Sequence, residues 1–241
     1  MPLPAILALW SAPRCRSTAF LRMIAERGDF TVIHEPFSQL ADFGKIEVAD
    51  RTVRSEPELI ALLRELAAQS PVFFKDTTDF RYPSVLADRQ FLSEVRHTFI
   101  VRDPAEAIAS HYQLNPQLGC DEIGFARLAE LFDAVAEATD EVPVVIDADE
   151  LVARPAEIVR AYCERVEIEF LPQALHWRSG MRDDWKQTSR WHAETSATEG
   201  FQQARDSAPA DLSGNPMLVE YLEYHLPFYR RLQQARLQPA A

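Results

Sequence analysis

The chain has 241 residues, 47% of them apolar, and a formal charge of −12 at pH 7. A chain of this length buries roughly 70–75% of its unfolded surface without staples, so one α/β domain spanning 1–241 is expected. The acidic balance excludes nucleic acid as the main partner, because a duplex binder needs basic surface to displace counterions.

The first apolar run, Ile6–Trp10, has the length of a buried strand. It lacks a basic n-region and leads into arginines instead of a small-residue cleavage site, so it is not read as a signal peptide. It runs into Ser11-Ala12-Pro13-Arg14-Cys15-Arg16-Ser17-Thr18-Ala19 and then a helical stretch, Phe20–Ile24. Strand, compact turn with two arginines and two hydroxyls, and helix together describe an anion cradle. The helix start offers amide hydrogens and a positive dipole end, and Ser17 and Thr18 add donors.

Further strand-like runs follow at Phe30–His34, Val72–Lys75, His97–Val101 and Val142–Ile146. Helical periodicity lies between them, with leucines at helical spacing in Glu56–Gln69 and Phe125–Ala138. The alternation predicts a three-layer α/β/α fold around a central parallel sheet. Pro155–Val166 is expected as a helix opened by proline, and 217–237 as a C-terminal helix. Its Tyr221, Tyr224 and Tyr229 suit either a core or a homodimer contact, and oligomeric state is not legible. The polar stretch 187–216 has no period and is expected as a lid loop over the site. No run approaches the ~20 apolar residues of a membrane span. Cys15, Cys120 and Cys163 are odd in number and lack CxxC spacing, which disfavours disulfides and zinc and suits a reducing cytoplasm.

The turn after the first strand contains no glycine and so departs from G-x-x-x-x-G-K-[ST], which speaks against nucleoside triphosphate hydrolysis. Pro13-Arg14-Cys15-Arg16-Ser17-Thr18-Ala19 resembles the P-K-S-G-T-T-W loop of sulfotransferases that use 3′-phosphoadenosine 5′-phosphosulfate (PAPS) and release the bisphosphate PAP. The resemblance implies that this loop wraps the 5′-phosphosulfate, within a P-loop-like sulfotransferase fold. Arg16 stands in place of the glycine, and Ala19 in place of a tryptophan that helps hold adenine. Arg102-Asp103-Pro104 followed by Ser110 is similar to the family's R-D-P-x-x-x-x-x-S element, which implies that Arg102 and Ser110 bind the 3′-phosphate. The bland alternative is that Asp103 caps a helix and Arg102 pairs with a carboxylate. Trp177-Arg178-Ser179-Gly180 leading to Asp184-Trp185-Lys186 resembles F-R-K-G-x-x-G-D-W-K, which implies that Arg178, Ser179 and Gly180 close over the same phosphate, with Trp185 a structural anchor. Leu151–Pro155 is a weaker match to a Y-E-D-L-x-x-x-P segment. Ala148 falls near the tyrosine, which puts the adenine pocket in doubt.

Sulfuryl transfer needs in-line geometry, charge stabilisation on the departing oxygen and a base. Arg14 and Arg16 are candidate stabilisers, and Lys75 is similar to the lysine of the family's K-T-H segment. Asp76 and Thr77 follow where threonine and histidine are usual, so the common base is missing. His34-Glu35-Pro36 resembles the E-P segment of carbohydrate sulfotransferases and supplies two candidate bases, His34 and Glu35. Asp76 and Asp79 are lesser candidates. The alternative for Glu35 is a salt bridge to Arg14 or Arg16, and His111 is expected on a helix surface. No metal-ligand spacing occurs and no metal is expected. The acidic balance favours a small-molecule acceptor over a polyanionic glycan. Two rivals remain, a kinase-like phosphotransferase and a non-catalytic bisphosphate-binding protein that has lost its base.

Overall fold

The computed structural model describes residues 3–180, 191, 195–201 and 210–239. Half of the expected lid (187–190, 192–194 and 202–209), and all of Asp184-Trp185-Lys186, lie outside the described residues. Five parallel strands form the central sheet: β1 (Ile6–Ser11), β2 (Thr31–His34), β5 (Val72–Thr77), β6 (Arg96–Val101) and β7 (Val144–Asp147), in the order β2-β5-β1-β6-β7. A separate antiparallel hairpin joins β3 (Ile46–Val48) to β4 (Arg51–Val53). All five sheet strands coincide with the expected apolar runs. The last starts later than expected because Pro143 brings no N–H to a ladder and Val142 is 63% exposed.

Alternation along β1 builds both faces of the sheet. Ile6, Ala8 and Trp10 enter one core, packed under α2 (Pro36–Phe43), α3 (Glu56–Ala67), α6 (Pro104–Leu114) and α7 (Phe125–Thr139). Leu7 and Leu9 enter the other, under α1 (Ser17–Arg27), α8 (Ala148–Ala153) and α9 (Pro155–Arg165). Two short helices, α4 (Pro83–Ala87) and α5 (Arg89–Glu94), precede β6. The last helix, α10 (Pro216–Gln234), packs on α6 and α7 and ends before residue 237, because Arg236 pairs with Val145 and the Leu237 amide donates to Val145 O at 2.7 Å. Its Tyr229 is core, whereas Tyr224 is half exposed. Among the described residues no helix is long and apolar enough to cross a membrane.

The parallel arrangement gathers the ends of all five strands on one edge, where open α/β sheets bind ligands. β1 and β6 are neighbours, yet the chain leaves them for opposite sides of the sheet, to β2 and to β7. Their ends therefore flank a topological switch point.

The face of Trp10 is an aromatic cluster with Phe37, Phe74, Tyr82 and His97. Trp10 Nε1 donates to His97 Nδ1 at 2.9 Å, which assigns the His97 proton to Nε2, facing Phe91 O at 3.3 Å. Burial lowers the His97 pKa to about 4. A histidine depressed in the folded state stabilises the fold above its unfolded pKa of about 6.5, and that contribution is lost as pH falls toward 4. Urea titrations should therefore show a loss of about 2–3 kcal/mol from this group between pH 7 and 4.5. His97→Gln, which keeps an acceptor for Trp10, should remove that part of the acid-side fall. An unchanged pH dependence in the variant would disprove the assignment.

Candidate functional site

The turn between β1 and α1 reaches its curl without glycine. Arg14 and Arg16 sit in the left-handed region at φ 65° and 61°, which costs an L-residue about 1–2 kcal/mol each. No side chain caps α1 at Arg16, and a helix start of that kind suits an anion. Ser11 Oγ donates to Ser17 Oγ at 2.8 Å, tying strand end to helix start. Cys15 is buried, and burial pushes its thiol up to about 12 despite the nearby Arg102 charge, so it offers the turn its backbone and no thiolate.

The arginines of this turn diverge. Arg14 reaches across the switch point, its Nε donating to Ser110 Oγ on α6 at 3.0 Å and its Nη1 to Trp191 O at 2.8 Å. Arg16 leans toward the start of α8, pairing with Asp149 at 2.7 Å and approaching Ala148 O at 3.4 Å. Burial, and then the Arg102 charge, lower the Arg16 pKa. Thr18 and Ala19 follow in the first turn of α1, and the Ala19 amide donates to Arg16 O at 3.1 Å.

Arg102 directly follows β6. Asp103 caps α6, accepting from the amides of Ala105 at 2.9 Å and Glu106 at 3.4 Å. Arg102 places Nη1 3.4 Å from Arg14 O and Nη2 3.1 Å from Glu106 Oε2, while its buried Nε has no hydrogen-bond partner. The cap and the carboxylate pairing of the bland alternative are both present, yet an orphaned guanidinium donor remains beside Arg14 and Ser110. A donor in that position fits an incoming anion. His111 is a correction: it is buried, with its ring edge-on to Trp191 at 5.3 Å, because α6 turns that face under the Trp191 segment.

The third element lies along a returning segment. His176 bridges Gly200, and the Trp177 amide donates to Glu199 O at 3.3 Å. Arg178 is exposed, and Ser179 Oγ is 3.4 Å from Glu199 Oε1. Gly180, at φ 144°, gives its amide to Ser196 O at 2.7 Å, so that amide is committed to the protein. The carbonyls of Arg178 and Gly180 accept from Arg22, a buried residue of α1 that sequence reasoning missed.

On the other side of β1, Lys75 ends deep in β5 and its Nζ donates to Glu35 Oε1. Glu35 therefore pairs with lysine, where Arg14 or Arg16 was the expected alternative. The reason is register: His34 sits opposite Lys75, and the Glu35 amide donates to Lys75 O at 2.7 Å. Buried His34 has Nε2 3.6 Å from Glu35 Oε1. Asp76 is fully buried and accepts from the amides of Phe37 at 2.6 Å, Ser38 at 3.1 Å and Thr77 at 2.9 Å, which makes it an anchor for α2 and removes it as a base. Burial and Glu35 push its carboxyl up, against the Phe37 and Thr77 amides and the Lys75 charge. Asp79 accepts from Thr77 Oγ1 at 2.8 Å. Burial raises it to about 6, aided by Glu35 and opposed by the Thr77 hydroxyl.

A parallel sheet with an uncapped helix start at β1, an arginine-serine pair across the switch point and a lysine-carboxylate pair beside it is an α/β frame with a candidate anion site at its carboxyl edge. The sequence matches the sulfotransferase domain over residues 5–236, and the chain belongs to that family. Two curated relatives from Arabidopsis thaliana, named branched-chain-amino-acid aminotransferase-like proteins 1 and 2, are each 27% identical. Each covers 95% of this chain, but the chain spans only 42% and 41% of their lengths. Similar solved structures include a sulfotransferase domain from the curacin biosynthetic pathway, 12% identical with a TM-score of 0.44, covering 93% of this chain and 98% of that one. Another is a mouse sulfotransferase complexed with PAP, 12% identical with a TM-score of 0.44, covering 95% of this chain and 88% of that one. Among the described residues no group of three or more His, Cys, Asp or Glu could hold a metal ion.

The raised Asp79 has a stability consequence. Because its folded pKa lies above the unfolded value, its ionised form weighs against folding above pH 6, and stability is recovered as pH falls through 6 toward 4. Asp79→Asn keeps the acceptor for Thr77 and should stabilise the protein by about 1–2 kcal/mol at pH 7.5, after allowance for solvent screening, with no gain near pH 4. Thermal unfolding at the two pH values measures this, and a gain of the same size at both would refute it.

Proposed function

We propose that this domain transfers a sulfuryl group from 3′-phosphoadenosine 5′-phosphosulfate to a hydroxyl or amine of a small-molecule acceptor. The observation that carries the reading is Arg14 Nε on Ser110 Oγ beside the orphaned Arg102 Nε, a second anion seat adjoining the uncapped start of α1. An ordinary nucleoside 5′-phosphate would leave that second seat empty. In this reading the turn from Arg14 to Ala19, with the Ser17 and Thr18 hydroxyls and the amides of Cys15 and Arg16, holds the 5′-phosphosulfate. Arg14, Arg102 and Ser110 hold the 3′-phosphate, with Arg178 and Ser179 closing from the facing segment beside Gly180. The Trp191 carbonyl on Arg14 and the Trp191 ring on His111 support a cover over this seat.

The catalytic roles follow from the divergence of the arginines. Since Arg14 turns to Ser110, Lys75 is the cation placed beside the candidate base. Glu35 takes the proton of the acceptor hydroxyl or amine as the acceptor oxygen or nitrogen bonds to sulfur. The bond from sulfur to the bridging oxygen breaks, its electron pair leaves with the bisphosphate, and Lys75 stabilises the charge on that oxygen. His34 packs against Glu35 and orients it.

Calorimetric titration with adenosine 3′,5′-bisphosphate, AMP and ATP tests the donor assignment. The bisphosphate should bind at least tenfold more tightly than AMP; equal affinity ends the reading, and preferential ATP binding would favour the phosphotransferase. For catalysis, Arg14→Ala and Lys75→Ala should abolish turnover. Glu35→Gln should lower kcat by at least 10²-fold, and His34→Ala less. Undiminished turnover in both of the latter would remove the end of β2 as the source of the base.

A further inference from the structure

We infer that Arg22 is a positioning residue for donor binding, setting the distance between the two anion seats. Its side chain is buried, at 6% exposure, on the helix that begins at the β1 turn. The two terminal nitrogens of its guanidinium fork donate to two carbonyls of one short segment, Nη1 to Gly180 O at 2.7 Å and Nη2 to Arg178 O. A planar fork bonded to carbonyls two residues apart fixes both the place and the orientation of that segment, which a flexible ammonium would not do. Arg22 lies five residues after Ser17, about 7.5 Å along the α1 axis. A single rigid helix thus carries the first seat at its N-terminus and braces the third sequence element from its second turn.

The remaining contacts of the segment reinforce this. The Gly180 amide is held by Ser196 O and the Ser179 hydroxyl faces Glu199, so the 176–180 segment is tied to 196–200. Among the described residues Arg22 is the hydrogen-bonded tie from that unit to α1, beside the packing of Trp177 in the core that α1 lines. Without it, the carbonyls of Arg178 and Gly180 lose their donor and the exposed Arg178 loses its fixed root. The consequence falls on the 3′-phosphate and spares the rest of the nucleotide. This inference rests on the proposed donor reading.

Calorimetry with adenosine 3′,5′-bisphosphate and AMP on Arg22→Met, Arg22→Lys and Arg178→Ala tests it. Arg22→Met should weaken bisphosphate binding about tenfold and leave AMP binding unchanged, and Arg22→Lys should recover part of the loss. In the double variant with Arg178→Ala the two losses should be less than additive, since Arg22 acts through the segment that roots Arg178. Equal weakening of both nucleotides, or no weakening of either, overturns the positioning role. Should Arg22→Met fail to fold, Arg22→Lys carries the same test, with a smaller loss confined to the bisphosphate. If Arg178→Ala weakens the bisphosphate and neither Arg22 variant does, the inference fails and the donor reading stands. If wild type itself does not distinguish bisphosphate from AMP, it is the donor reading that fails.

Discussion

The Asp76 carboxylate has no solvent exposure, and its two oxygens accept three backbone amides, two of them at the start of α2 and one from its own strand. A buried carboxylate is costly unless its oxygens are satisfied, and the start of a helix is among the better places to satisfy them. The result is a clamp from β5 to the β2–α2 connection. It fixes the turn in which Glu35 takes a left-handed φ of 47°, and that turn brings the Glu35 carboxylate to Lys75. Removing either partner of this buried ion pair would leave an uncompensated charge in the interior.

Backbone strain follows the same edge. Arg14, Arg16 and Glu35 all take positive φ, and all three lie beyond the carboxyl ends of strands. Glycine at these positions would relieve the strain and forfeit the side chains. The cost is offset by ties that cross between elements: Arg14 to Ser110 and Trp191, Arg16 to Asp149, Ser11 to Ser17. Only three of the 25 basic residues are lysines, Lys45, Lys75 and Lys186. Arginine dominates where one side chain must reach two partners, as at Arg14, Arg16, Arg22 and Arg102. Lysine is kept within β5, where a point charge beside a carboxylate suffices.

The sheet was legible because parallel strands buried on both faces read as continuous apolar runs, and their sequence order leaves few right-handed arrangements. The cap at Asp103 and the proline-opened helices were legible for equally local reasons. Short helices were not: α4, α5 and α8 contain too few turns to establish a period. The β3–β4 hairpin was missed because its turn uses Ala49 and Asp50, both at positive φ, instead of a glycine pair. At the site, residue types were legible and pairings were not. Glu35 and Lys75 are 40 positions apart and meet only because β2 and β5 are neighbours. Asp76 had the look of a base and serves as an anchor, since its partners are amides, which a sequence does not display. Arg22 had no signal at all, because a buried arginine on an amphipathic helix is written like an exposed one.

The strand order also divides labour around β1. To one side, β6 brings Arg102 and α6 brings Ser110 up to Arg14. To the other, β5 and β2 bring Lys75, Glu35, His34 and Asp79. The β1 turn separates the two groups and is bound to both, through Arg14 on one side and through the Ser11 hydroxyl approaching Asp76 O at 3.5 Å on the other. In the proposed reaction, the attacking atom and the departing 5′-phosphate oxygen must lie on opposite sides of the sulfur for in-line attack. A sheet ordered β2-β5-β1-β6-β7 keeps the candidate base after β2 and Arg102 after β6 on opposite sides of the β1 turn. Bringing the base and the phosphate-binding arginine onto the same side would take a different strand order, which point substitutions within this one cannot supply.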